Sequence, residues 1–141
     1  MRAAFEKRLS RPEKGQDYVV GFEYQMTDDA ANGDALHHST HTAGALYDVA
    51  APVNAHEKPA GEWNESRIVL RGNHVEHWLN GVKVVDTTLD SPEERKAMQT
   101  RWDVAPQVAA LLTNLPKKDC PISLQNHGDA CWFRTIRIRR L

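Results

Sequence analysis

The segment from Gly61 to Asp86 constrains the fold most strongly, because it encodes three successive strands and both turns that join them. The alternation over residues 67–71 places Ile68 and Leu70 on one face of a strand. After a Gly-Asn turn, a second strand over residues 74–79 has Val75, His77 and Leu79 on one face. Asn80-Gly81 then separates the second strand from a third over 82–85. An Asn-Gly pair between alternating runs is the strongest local hairpin signal, since both central positions of a type I′ turn require positive φ.

A meander of this kind needs a second layer to cover its apolar face. With 141 residues the chain is about one domain long. We therefore expect an all-β fold, an antiparallel β-sandwich in a single domain over residues 1–141. One helical insertion is expected over about 92–102, because Ser91 is a plausible N-cap, Pro92 suits the first helical position and Glu94 completes a capping box.

Further strands are expected on either side of the meander. The run 18–26 is rich in β-branched and aromatic residues, and its alternation places Glu23 and Gln25 on one face. A short strand is expected over 44–49. The apolar run 105–115 fits either a continued helix or a packed loop. Strands over 122–125 and 131–138 are expected to form a hairpin, with Gln125 and His127 at its rim.

Charge and cysteine content exclude several classes of protein. The formal net charge is −1, so no overall electrostatic argument favours nucleic acid. The Arg-rich end over 134–141 interleaves with Ile136 and Ile138, which favours a half-exposed strand over a basic patch. No apolar run reaches membrane-spanning length, and the first fifteen residues show no signal peptide. We expect Cys120 and Cys131 to be buried free thiols rather than a disulfide.

Four segments together resemble one family. They are GFEYQMTDD, TAGALYDVAAP, the meander GEWNESRIVLRGNHVEHWLNGVKVVD, and ISLQNHGDACWFRTIRIRRL. In this order they resemble the 3-keto-disaccharide hydrolase family, which includes 3-keto-glycoside 1,2-lyases and hydratases. The resemblance implies a jelly-roll, concanavalin A-like β-sandwich whose first strands are shortened here. It also implies a bacterial protein, periplasmic or secreted localisation, and activity on sugars oxidised at C3.

Such an activity needs three chemical functions. A ketone at C3 acidifies the C2 proton, so that a base can form an enediolate and expel the substituent at C1. The three functions are a base for the C2 proton, an electrophile for the developing enolate oxygen, and an acid for the leaving oxygen. A divalent metal cation could serve as the electrophile. No organic cofactor is expected, because the chain has no dinucleotide or phosphate-binding fingerprint.

The resemblance singles out Glu23 and His127 as catalytic residues. Glu23 is expected as base or metal ligand, although an exposed acid on a solvated sheet face is the alternative. His127 is expected as general acid or base, or else as a turn histidine bound to local backbone. The tentative metal ligands are Glu23, His41 and Asp28; the competing interpretation is a solvent-exposed histidine and an ordinary turn aspartate.

Sugar binding is expected of aromatic and polar side chains, since flat rings stack on pyranose C–H surfaces. Core packing is the favoured alternative for each aromatic candidate, less strongly for Trp63 than for Tyr47. His77, which shares the face of Val75 and Leu79, is expected to be a core residue. The expected substrate-binding residues are Gln25, Tyr47, Trp63, Asn64, Arg71 and Gln125.

Two functions of different class remain open. One is cleavage of a 3-keto-glycoside, and the other is a non-catalytic, lectin-like carbohydrate-binding module, because this scaffold serves both. The expected partner is a carbohydrate in either case, with no nucleic acid and no membrane span. A homo-oligomer, or first strands supplied from elsewhere, is possible in view of the shortened sheet.

Overall fold

The computed structural model describes residues 2–6, 20–104, 106–113, 122–126 and 128–141. In chain order the elements are β1 (Arg2–Glu6), β2 (Val20–Glu23), α1 (Gly33–His37), a 3₁₀ turn (Ser39–His41), β3 (Ser66–Arg71), β4 (His74–Leu79), β5 (Val82–Thr88), α2 (Pro92–Arg101), α3 (Pro106–Thr113) and β6 (Ile122–Ser123).

The expected meander forms, with antiparallel pairing throughout. Its register places Ile68 opposite His77, and Leu79 opposite Val82. Asn80 and Gly81 both adopt positive φ, 50° and 84°, as a type I′ turn requires. The turn therefore sets the register next to it, and an irregularity between His77 and Trp78 shifts the β4–β5 register by one residue further along the ladder.

A second antiparallel sheet has the strand order β2-β1-β6. Ala3 of β1 lies opposite Phe22 of β2 and opposite Ile122 of β6. The main hydrophobic core joins this sheet to the meander and to both long helices. Its buried members are Phe22, Leu46, Val75, Val85, Leu89, Met98, Val108 and Leu112.

The all-β expectation is therefore confirmed only in part. The antiparallel sheets are present, whereas the expectation of a single helical insertion is wrong. α2 begins as predicted, with Ser91 Oγ accepting the amide of Glu94 at 3.3 Å. The short helix α1 lies outside the predicted insertion. A further helix, α3, follows α2 because Val108, Ala109 and Leu112 recur at helical spacing and bury one face. The jelly-roll connectivity stays a prediction.

Two further expectations need correction. Residues 44–49 do not form a strand; Leu46 instead makes single bridges to Tyr24 and Ala50. Residues 131–138 do not form the expected hairpin strand, since the structure assigns no regular element to 131–141 and leaves every residue there exposed. In the described part of the chain, β6 pairs with β1 rather than with this segment. Alternation alone cannot supply a hydrogen-bonded neighbour.

The cysteine expectation is confirmed in part for Cys131, which is a free thiol but is not buried. It is exposed because the strand that was to bury it does not form. Cys120 lies outside the described residues. Among those residues, no helix has the length and apolar character that crossing a membrane requires.

His77 occupies the core as expected. It is 2% exposed, and its Nδ1–H donates to the carbonyl of Gly44 at 2.9 Å. Burial lowers the pKa of His77 to about 4, from its ordinary 6.5. Between about pH 4 and pH 6.5, His77 is therefore less protonated in the folded state than in the unfolded state.

This pKa shift predicts an acid-sensitive fold. The stability contribution of neutral His77 is complete above pH 6.5 and is lost as pH falls toward about 4, a loss of about 3 kcal/mol. We expect the free energy of unfolding, measured with urea, to decrease over this range in the parent. His77→Gln should show a shallower decrease, because glutamine does not titrate. Parallel pH profiles for the two proteins would contradict the assignment.

Candidate active site

The candidate site begins where Leu46 bridges Tyr24. Gln25 N–H donates to the carbonyl of Ala45, and Tyr47 N–H donates to the carbonyl of Glu23, both at 3.0 Å. These two bonds flank the Tyr24–Leu46 bridge, so Glu23 is opposite Tyr47 in register. Tyr24 and Leu46 are buried. Since side chains alternate between faces, Glu23 and Tyr47 share the other face.

His41 lies between two carboxylates. Its Nδ1 is 2.7 Å from Asp34 Oδ2, and its Nε2 bonds Asp48 Oδ1. Burial alone would lower the pKa of His41, but the hydrogen bonds and charges of Asp48 and Asp34 outweigh it and raise that pKa. With both ring nitrogens facing carboxylates, the imidazolium form is favoured.

Local backbone chemistry positions both of these carboxylates. Asn32 caps α1 by accepting the amides of Asp34 and Ala35, which places Asp34 in the first helical turn. Asp48 has φ of 58°, in the left-handed region that aspartate tolerates better than most residues. Arg101, at the end of α2, then holds the Asp48 carboxylate at 2.6 Å.

Tyr47 packs against the cationic groups of this network. Its ring stacks on His41 with centroids 4.3 Å apart, and the Arg101 guanidinium carbon lies 4.8 Å from the ring centroid. Its hydroxyl donates to Asp34 Oδ2 over 3.4 Å. Burial and the charges of Asp48 and Asp34 raise the pKa of Tyr47 to about 12. The phenol is therefore a hydrogen-bond donor throughout the neutral range.

A groove of about 1030 Å³ is lined by Gln25, which shares a strand face with Glu23, whereas Glu23 and Tyr47 themselves are not among the residues that line it. Trp63 lines it and is 43% exposed. The Arg134 guanidinium covers the Trp63 ring at 3.9 Å, so one face of this expected sugar platform is already occupied. Trp132 and Phe133 supply further aromatic surface to the groove.

Two expected sugar-binding residues have other contacts in the structure. Asn64 lines the groove, but its amide oxygen accepts from the Lys58 amide and from the Asn80 side chain, each at 2.7 Å. Its amide nitrogen donates to the Lys58 carbonyl at 3.0 Å. Arg71 lies at the end of β3, 3.9 Å from Glu76, and is not among the groove residues.

The tentative metal ligands do not come together. Asp28 Oδ1 accepts a hydrogen bond from the amide N–H of Ala30 at 3.2 Å. Burial raises the pKa of Asp29 and of Glu57, and the negative charge of Asp28 adds to both increases. Among the described residues, Glu23, His41 and Asp28 do not form a group whose ligand atoms converge. Both nitrogens of His41 already contact carboxylates, whereas a metal ligand needs one free lone pair. This set does not fit a divalent cation.

The remaining expected residues lie near the end of the chain. Gln125 is half-buried just beyond β6, and its role in substrate binding stays a prediction. His127 lies outside the described residues, so its catalytic role also stays a prediction. Sequence reasoning missed Asp48 and Arg101. Asp48 directly follows Tyr47, and its type suits a tight turn, but nothing local to the sequence connects it to Arg101.

Comparisons with known proteins agree with this fold and these motifs. A 3-keto-disaccharide hydrolase from Bacteroides thetaiotaomicron is 31% identical over an alignment of 134 residues. The match covers 88% of this chain and 45% of that protein. The chain thus spans about half the length of this curated relative. A crystal structure from Parabacteroides distasonis, provisionally described as a glycosyl hydrolase, matches with a TM-score of 0.57 at 25% identity, over 71% of this chain and 48% of that one.

The family model gives the broadest match. The model of the 3-keto-alpha-glucoside-1,2-lyase-like domain covers residues 3–139, and so includes both sheets, all helices and the Glu23–Tyr47 face. The chain belongs to the 3-keto-alpha-glucoside-1,2-lyase-like domain family.

Proposed function

We propose that this domain cleaves the glycosidic bond of 3-keto-glycosides by elimination across C1 and C2. Family membership supports a C3-oxidised sugar as the substrate. The observation that carries the proposal is the register that sets Glu23 opposite Tyr47, with Tyr47 stacked on the His41 network. A carboxylate and a protonated phenol then share one face, and Gln25 on the same strand face lines the groove.

Glu23 is the proposed base. Its carboxylate takes the C2 proton, and the electron pair of that C–H bond forms a C2–C3 double bond while negative charge develops on the C3 oxygen. The C3 ketone then re-forms, and this pair becomes a C1–C2 double bond in the same step in which the C1–O bond breaks. The electron pair of the C1–O bond stays on the leaving oxygen, and that oxygen takes up a proton. Water added across C1–C2 completes a net hydrolysis.

Tyr47 is the proposed donor to the C3 oxygen. With a pKa of about 12 the phenol keeps its proton, and its 3.4 Å bond to Asp34 is long enough to be exchanged for a stronger one to an enolate. Hydrogen bonds aimed at developing charge stabilise a transition state more than the ground state. His41 and Arg101 hold the phenol ring in place and add positive charge beside it.

The groove is the proposed sugar-binding surface. Gln25, Trp63 and Asn64 line it, and Gln25 lies on the same face as Glu23. His127 is retained as the proposed acid for the leaving oxygen. The divalent cation also stays a prediction, and no step is assigned to it, because the residues expected to hold it do not fit one.

The test compares a 3-keto-glucoside with the same glucoside before oxidation. We expect release of the aglycone from the oxidised compound only, because the C2 proton of the unoxidised sugar is not acidic. Binding of both sugars without turnover would favour a carbohydrate-binding module. Equal turnover of both would indicate an ordinary glycosidase and would overturn the proposal.

A further inference from the structure

The outer face of the meander carries a cluster of possible metal ligands. His74 and Glu76 lie two residues apart on β4, on the face opposite Val75 and His77, which are buried. Asp86 on β5 lies opposite Glu76 in register. Alternation and register thus bring the three polar side chains, His74, Glu76 and Asp86, to one patch of the sheet.

The ligand atoms converge. One atom from each of His74, Glu76 and Asp86 lies within 4.8 Å of the others, and His74 Nε2 is 2.6 Å from Asp86 Oδ1. All three backbones are fixed by the β4–β5 ladder, so small side-chain rotations would suffice to surround an ion. One imidazole and two carboxylates are donors that Zn²⁺ and neighbouring transition metals accept.

The surroundings both support and oppose a cation. The Trp78 indole N–H donates to Glu76 Oε2 at 2.8 Å, which orients that carboxylate as outer partners of metal ligands commonly do. Against this, the Lys83 ammonium bonds Asp86, and Arg71 approaches Glu76 at 3.9 Å. Lys83 bonds Asp86 Oδ2 whereas His74 contacts Asp86 Oδ1, so the ammonium competes with a cation for the charge of Asp86 and leaves the other oxygen facing His74.

We propose that His74, Glu76 and Asp86 bind one divalent transition-metal ion such as Zn²⁺. With three protein ligands the ion would keep at least one position for water, and it would clip β4 to β5. This site is separate from the Glu23–Tyr47 face, and the proposal does not depend on the catalytic function.

The test measures Zn²⁺ binding to the full chain by isothermal titration calorimetry. We expect one ion per chain, and binding at least about tenfold weaker in His74→Ala and in Asp86→Asn, because each removes a ligand. Trp78→Phe should weaken binding by about tenfold or more through loss of the orienting hydrogen bond. His56→Ala is the matched control: it removes an exposed histidine elsewhere and should not change binding.

Lys83→Met gives a test in the opposite direction. Removing the competing ammonium should tighten Zn²⁺ binding several-fold, a result that misfolding cannot imitate. Absence of Zn²⁺ binding to the parent, or equal binding by the parent, His74→Ala and Asp86→Asn, would overturn the proposal. So would binding that is lost in His41→Gln but kept in His74→Ala, since this would place the ion in the Asp34–Asp48 network.

Discussion

Glu23→Gln is expected to reduce turnover of a 3-keto-glycoside by about 10³-fold, within the range that loss of a general base produces. The amide has nearly the same shape as the carboxylate but cannot take the C2 proton. Because Glu23 pairs with Tyr47 through backbone groups, the substitution leaves the register intact. Steady-state kinetics should therefore show a fall in kcat with little change in KM, as expected when the lost interaction is specific to the transition state.

Glu93→Gln is the matched control for this substitution. Glu93 is exposed in the first turn of α2 and lies outside the groove. It lines a separate surface pocket with Asp48 and Arg101, so the change controls for the loss of a carboxylate near Arg101 that is not the proposed base. Glu93→Gln should retain the parental kcat. If Glu23→Gln kept turnover within a few-fold of the parent, Glu23 would not be the base, and the proposed mechanism would have to assign that role elsewhere.

Tyr47→Phe is expected to lower kcat by about 10²-fold to 10³-fold, as loss of one donor to a developing oxyanion does. The substitution deletes only the hydroxyl, so the stacking on His41 and the contact with Arg101 should survive. The pH profile gives a second readout. With a pKa of about 12, Tyr47 should not cause a loss of activity as pH rises from neutrality to about 10.

Tyr24→Phe separates a catalytic from a structural effect of losing a hydroxyl. The Tyr24 hydroxyl donates to the carbonyl of Trp78 at 3.0 Å, so its loss should destabilise the fold by about 1 kcal/mol and leave kcat unchanged. Because Tyr24 also lines the groove, an effect of this substitution on sugar binding should change KM alone. Equal losses of kcat in Tyr24→Phe and Tyr47→Phe would assign Tyr47 a packing role and remove it from the proposed chemistry.

The meander could be predicted from sequence because its information is local. Asn80 and Gly81 determine the turn, and the alternation around Val75 and Leu79 determines which face is buried. The capping of α2 by Ser91 is equally local. Each of these features depends on residues within a few positions of one another, which is the range over which propensity and turn chemistry act.

The features that could not be predicted depend on distant partners. Alternation over 131–138 suggested a strand, but a strand also needs a neighbour, and none pairs with this segment in the described residues. The apolar run over 105–115 was compatible with a helix or with a packed loop. Packing of Val108 and Leu112 against α2 and the sheets favours the helix α3, and this packing cannot be read from the sequence. Periodicity reports on the face that is buried, not on what covers it.

The candidate site divides in the same way. Alternation correctly predicted that Glu23 and Gln25 lie on the strand face opposite the buried Phe22 and Tyr24. Contact between Tyr47 and a sugar, which its aromatic ring suggested, stays a prediction. The register that brings Glu23 and Tyr47 together depends on the bridge between Tyr24 and Leu46, which no local pattern predicts. The bond between Asp48 and Arg101 joins residues 53 positions apart, and only tertiary packing creates it.

The most direct measurement of the central claim is the fate of the C2 proton during turnover. A 3-keto-glucoside is incubated with the domain in D₂O, and the released sugar is examined at C2 by NMR, with Glu23→Gln as the control for spontaneous exchange beside the ketone. Elimination predicts either the unsaturated 1,2-product or a sugar carrying deuterium at C2, formed at the rate of aglycone release. Release of a sugar that retains protium at C2 would contradict it.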